Sequence, residues 1–173
     1  MPVDQKALAT SLETLSTAGL SADHRSLEDR LDQVLAAARD MIHVDGVGLM
    51  LLNEENELRV AGASIPAGLA LERAQLRVGC GPAIDCVRED RAVAVPDLAA
   101  DDDYAPVWAE LRTGEKPARA VLSVPVLVAG SVVGTLNALR SQPQAWEVDS
   151  VRAAEAYAGV ISVLLRLGVN AQE

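Results

Sequence analysis

From Ala120 to Leu139 the chain runs for twenty residues without a charged side chain, a length that alone suffices for a helix to cross a bilayer. The residue types argue otherwise. Ser123, Pro125, Gly130, Ser131, Gly134, Thr135 and Asn137 interrupt the run, and valine rather than helix formers dominates it, which favours extended backbone. Ala129-Gly130-Ser131 reads as a turn in its middle, so the run predicts two strands joined as a hairpin and no membrane span.

The 173 residues, half of them apolar, predict one domain with a core of ordinary size. Fifteen Lys and Arg against 25 Asp and Glu give a net charge of −10, a surface that repels phosphate backbones, so nucleic acid is not an expected partner. Two Trp, two Tyr and no Phe offer no base-stacking platform and leave the core to Leu, Val, Ile and Ala. Two cysteines and two histidines show no ligand spacing, so no metal is expected. Met1 to Leu20 lacks the basic start and apolar run of a signal peptide, so a reducing, cytoplasmic setting is expected.

No repeat, low-complexity segment or long Pro/Gly/Ser linker divides the chain. Leu8, Leu12 and Leu15 mark a helical arm over residues 1–25; the main domain is expected over 26–168 and a tail over 169–173. Ser26 is positioned to cap a helix whose buried stripe is Leu27, Leu31, Val34, Leu35, Ala38 and Ile42. Val47–Asn53 and Glu57–Ser64 read as a hairpin, with a bulge or frayed end at Gly62. A short helix carrying Leu69, Leu71 and Leu76 follows Pro66, and Pro82 suits the first position of another over Ile84–Asp90. Ala92–Val95 is a short strand, and Asp103 is the expected cap of a helix bearing Val107, Trp108 and Leu111. After the uncharged hairpin, Trp146 precedes a long helix to about Leu167. The class is α+β with an antiparallel sheet.

The last helix carries two apolar series: Val151, Ala154, Ala158, Ile161 and Leu165 on one face, Ala156, Val160, Val163 and Leu167 on another. One face suffices to cover a sheet. The surplus predicts a homodimer through Leu31, Val34, Met41, Val151, Ala158, Ile161 and Leu165; cover of the second stripe by the leading arm is the alternative.

Gly79-Cys80-Gly81-Pro82-Ala83-Ile84, Val93-Ala94-Val95-Pro96-Asp97-Leu98, Ala120-Val121-Leu122-Ser123-Val124-Pro125-Val126, then Gly130, Gly134, Leu136 and Asn137 together resemble a GAF domain. Trp146 stands where such domains usually have Phe. The resemblance implies a central antiparallel sheet with the N- and C-terminal helices layered on one face and short helices and loops over a pocket on the other. It is nearest to the GAF half of actinobacterial regulators that couple GAF to an RNA-binding ANTAR module. Since the sequence stops at Glu173, any such output is expected to be lost or supplied by a separate regulator protein. The implied role is a cytosolic, non-catalytic sensor of a small molecule, with ligand and cofactor unnamed.

The expected pocket lies beneath Gly79–Ile84 and Asp97–Leu111, with Ser123 and Asn137 as its floor; its candidate ligand-binding residues are Cys80, Ile84, Asp97, Tyr104, Trp108, Ser123 and Asn137. A negative group would suit the helix start after Gly81, with Arg119 at the mouth to neutralise it or to face solvent. Tyr104 and Trp108, one turn apart, either lid the pocket or pack in the core.

Cys80, just before a helix start, has a setting that favours a thiolate, the alternative being a space-filling side chain. Cys86 is about 9 Å away by helical rise, too far for a disulfide. The family also includes free methionine sulfoxide reductases, whose active cysteine sits in Gly-x-Gly-Val-Cys-Gly. Setting Gly79 and Gly81 on those glycines puts Ala83 at the nucleophile's place, and alanine cannot attack sulfur. The expectation is therefore no enzyme. A thiol switch or reductase built on Cys80 is one alternative, an assembly module with a closed pocket another. His24 and His43 flank the first domain helix, away from the pocket, as surface or cap residues rather than haem ligands. Asp101, Asp102 and Asp103 read as a solvated, capping run rather than a cation site.

Overall fold

The computed structural model describes residues 27–170. The helical arm, the Ser26 cap, His24 and the end of the tail lie outside the described residues. Eleven elements follow in order: α1 (Leu27–Ile42), β1 (Gly46–Leu52), β2 (Leu58–Ala63), α2 (Pro66–Val78), α3 (Pro82–Glu89), β3 (Val93–Val95), a 3-10 turn (Asp102–Tyr104), α4 (Ala105–Leu111), β4 (Ala120–Val128), β5 (Ser131–Arg140) and α5 (Val148–Asn170). The class is α+β. The five strands form one sheet in the order β2-β1-β5-β4-β3, and every neighbouring pair is antiparallel.

The uncharged run is the β4–β5 hairpin. Ala129 and Gly130 both adopt positive φ, 51° and 79°, as a two-residue turn matched to strand twist requires. Gly62 sits at an irregularity, as its sequence context predicts: β1 pairs Leu49 with Gly62 but Met50 with Val60, leaving Ala61 as the extra residue.

Strand alternation divides the core. Val47 and Leu49 of β1, Leu122, Val124 and Val126 of β4, and Leu136 and Ala138 of β5 pack with α1 and α5. The alternate residues Met50, Val121 and Leu139 face α2, α3 and α4.

Several expectations need correction. The helix after Pro66 is not short but 13 residues long, and its fully buried positions include Glu72 and Gln75, whereas Leu69 and Leu76 are only half-buried. Asp103 does not cap α4, which starts after Tyr104 with no side-chain cap; Asp101 instead caps the 3-10 turn before it, accepting a hydrogen bond from the Asp103 amide at 3.0 Å. The proposed interface is also partly consumed. Leu31, Val34, Ala158 and Ile161 are buried in the protomer's own core, while Met41, Val151 and Leu165 are half-buried at its edge. The reason is that α1 packs beside α5 and the sheet takes a wider stripe than one series, through Ala154, Tyr157, Ala158, Ile161 and Leu164, with Val160 buried too. Among the described residues, the large apolar side chains that remain exposed on α5 are Val148, Val163 and Leu167, at 65%, 44% and 41%.

Trp146 serves as the expected anchor. Its Nε1 donates to the Val95 carbonyl at 3.1 Å, and the Arg140 guanidinium lies 4.2 Å from its ring centre. Among the described residues no helix is long and apolar enough to cross a membrane.

Candidate functional site

On the α2–α4 side the core is two apolar clusters rather than one. Leu71, Leu98, Tyr104, Val107, Leu111, Val121 and Leu139 form the first, and Met50, Leu58 and Ala83 the second. Five buried polar residues, Glu72, Gln75, Ser123, Thr135 and Asn137, belong to neither. They make a polar seam.

The seam is built from facing strand residues. Ser123 on β4 and Asn137 on β5 are direct partners in register, and the Ser123 hydroxyl donates to Asn137 Oδ1 at 2.7 Å. Asn137 Nδ2 then reaches Glu72 Oε1 of α2 at 3.5 Å. Gly48, the β1 residue paired with Asn137, leaves room for that carboxyl, because a Cβ there would lie 2.2 Å from Glu72 Oε1.

Burial pushes the Glu72 carboxyl up to about 9, against the opposing pull of the Asn137 hydrogen bond, so Glu72 carries its proton at neutral pH. Its Oε2 and the Thr135 hydroxyl are buried without a hydrogen-bond partner. Such atoms cost roughly 1–3 kcal/mol each when left unsatisfied. Three residues on, Gln75 accepts from the Ala83 amide at 2.9 Å and donates to the Leu71 carbonyl at 3.4 Å. The α3 amide expected to receive a negative group is therefore taken by the chain's own side chain.

The seven candidate ligand residues do not converge on one hollow. Ser123 and Asn137 meet in the seam. Tyr104 is core, its hydroxyl donating to Asp85 Oδ2 at 2.7 Å, and burial, followed by that hydrogen bond and then the Asp85 charge, raises its pKa. Asp97 is gripped by Arg119 through two hydrogen bonds of 2.7 Å, which hold its carboxyl below the usual range. Arg119 also lies 5.1 Å from the Trp108 ring centre, so it braces the start of β4 rather than waiting for an anion. Cys80 is half-buried against the first cluster and Ile84 against the second. Tyr104, Val107 and Leu111 turn inward on α4 and the turn before it and pack in the first cluster.

Both cysteines are free. Burial, then the Asp90 charge, pushes the Cys86 thiol up to about 12, which leaves it a thiol at neutral pH. Among the described residues no group of three His, Cys, Asp or Glu is arranged to hold a metal.

Sequence reasoning missed Glu72 and Gln75. The available signal was their spacing of three next to Leu71 and Ala74, which puts polar and apolar side chains on one helix face.

The GAF domain family model matches residues 26–165. Among curated proteins, none matches the chain. Many solved structures share its fold, three of them as follows. A free methionine-R-sulfoxide reductase from Neisseria meningitidis, in complex with its substrate, is 18% identical with a TM-score of 0.67, covering 96% of this chain and 93% of that one. A domain of a putative two-component sensor histidine kinase from Sinorhizobium meliloti is 14% identical with a TM-score of 0.67, covering 84% and 93%. The GAF domain of an Acinetobacter phosphoenolpyruvate-protein phosphotransferase is 20% identical with a TM-score of 0.65, covering 97% and 98%. The expectation that the chain is not an enzyme is thereby corrected: free methionine-R-sulfoxide reductases stand among its structural neighbours, so this fold carries catalysis as well as sensing.

Proposed function

Since the chain belongs to the GAF domain family, a sensory and regulatory fold, we propose that it is a signalling module that binds a small molecule at the seam of Glu72, Ser123, Thr135 and Asn137 and acts as a homodimer. The observation that carries this reading is the pair of buried oxygens, Glu72 Oε2 and Thr135 Oγ1, that have no partner. A small polar molecule that bonds to them recovers the free energy their isolation costs. Its apolar side would lie between the two clusters that border the seam.

The route to an output is short. Ser123 is flanked by Leu122 and Val124, and Asn137 by Leu136 and Ala138, all four in the core shared with α1 and α5. A shift of either strand on the seam side therefore moves the opposite face, and α5 conveys it to a second subunit or a separate regulator. Exposed Val163 and Leu167 support the helical layer as the contact.

Thermal unfolding against a panel of nucleotides, organic acids, amines and amides tests the binding claim. At least one compound should raise the midpoint of the wild type and not of Asn137→Leu. A panel without effect, or equal shifts in the two proteins, would contradict it.

Thiol chemistry is the second reading, supported by the likeness to reductase folds and by the half-buried Cys80 between Gly79 and Gly81. Reduction of free methionine sulfoxide by the wild type, lost in Cys80→Ser, would favour it over the first.

A further inference from the structure

Away from the seam, on the outer side of α2, a groove of about 350 Å³ runs between that helix and the segment joining α4 to β4. It exists because the helix presents small side chains there. Ala67, Ala70 and Ala74 recur at helical spacing, and Leu111 and Pro117 complete an apolar lining. The volume lies at the lower end of the range for small-molecule sites.

The charges of the groove are sorted by wall. Arg73 and Arg77 stand on α2, while Glu110 and Glu115 stand on the opposite side. One pair is closed, Arg77 Nη1 to Glu110 Oε2 at 2.6 Å. The other is not: Arg73 and Glu115 line the same groove, both exposed, and neither side chain makes a hydrogen bond or ion pair with the described residues. A cation and an anion thus face a common apolar trough from opposite sides, each with its charge unused.

We propose that this groove is a second binding site, for a small zwitterion of α-amino-acid chemistry with an apolar side chain. Arg73 takes the carboxylate through its planar fork of donors, Glu115 takes the ammonium, and the alanine floor takes the side chain. A simple anion meets Glu110 and Glu115, and a simple cation meets Arg73 and Arg77; only a ligand carrying both charges matches both walls. The closed Arg77–Glu110 pair fixes the walls relative to each other without competing for the ligand's charges.

Titration calorimetry of the full chain with L-leucine, N-acetyl-L-leucine and L-leucinamide decides the matter. L-leucine should bind about tenfold or more tightly than either analogue, since each lacks one charged partner. Arg73→Gln should weaken L-leucine to the level of L-leucinamide and leave L-leucinamide unchanged. Glu115→Gln should do the same with respect to N-acetyl-L-leucine. Both side chains are exposed, so these variants keep the fold, which circular dichroism verifies. No binding of L-leucine at millimolar concentration, equal binding of the three compounds, or binding indifferent to both substitutions would overturn the proposal.

Discussion

Glu72 is the residue whose chemistry departs furthest from what its type dictates. Its carboxyl ionises near 4.5 in an unfolded chain and near 9 in its buried place. Between these values the folded protein holds a proton that the unfolded chain has released, so stability is fully present below pH 4.5 and falls as pH rises towards 9. Urea unfolding should accordingly show the wild type losing stability relative to Glu72→Gln across this window, by a few kcal/mol in total; parallel curves would mean that Glu72 is solvated. The two thiols differ for the same reason, access to water. Cys80 is half-buried and Cys86 fully so, with its thiolate disfavoured. Brief alkylation followed by peptide mass spectrometry should label Cys80 at least about tenfold faster than Cys86.

Among the elements, α2 joins the two halves of the site: Glu72 meets β5 while Gln75 caps α3. Gly48 of β1 is its counterpart, since a methyl group there collides with the Glu72 carboxyl. Gly48→Ala should cost roughly 1–3 kcal/mol in the wild type and much less in a Glu72→Ala background, where the colliding group is gone. A double-mutant cycle by chemical denaturation measures that coupling, and additive effects would show that Gly48 serves some other purpose. The contrast between elements shows what a sequence can reveal. The β4–β5 hairpin was readable because valine preference, absence of charge and the Ala129-Gly130 turn are local properties that agree. The burial of Glu72 was not, because in sequence it looks like one more charge beside Arg73, and the partner that holds it, Asn137, lies 65 residues away. The partners of Asp97 and Tyr104 are equally invisible in sequence, since nothing local announces that Arg119 and Asp85 bond to them.

At the scale of the molecule, the sheet is the partition through which one side feels the other. The antiparallel class follows from hairpins joined by tight turns and was legible, and the layering was implied by the GAF resemblance, whereas the strand order β2-β1-β5-β4-β3 and the extent of free apolar surface depend on how distant segments share one sheet. That sharing changes the test of association. Ile161 is fully buried, so Ile161→Glu should unfold the protomer rather than separate subunits. Val163→Glu with Leu167→Glu should instead convert a dimer to a folded monomer in light scattering, and a wild type that already scatters as a monomer would remove the dimer from the account. The claim at the centre is that this protein senses a small molecule on one face of the sheet and associates through the other. Native mass spectrometry of the protein purified from its own host tests both parts at once: the account predicts a dimer carrying an additional small mass, and a bare monomer would contradict it.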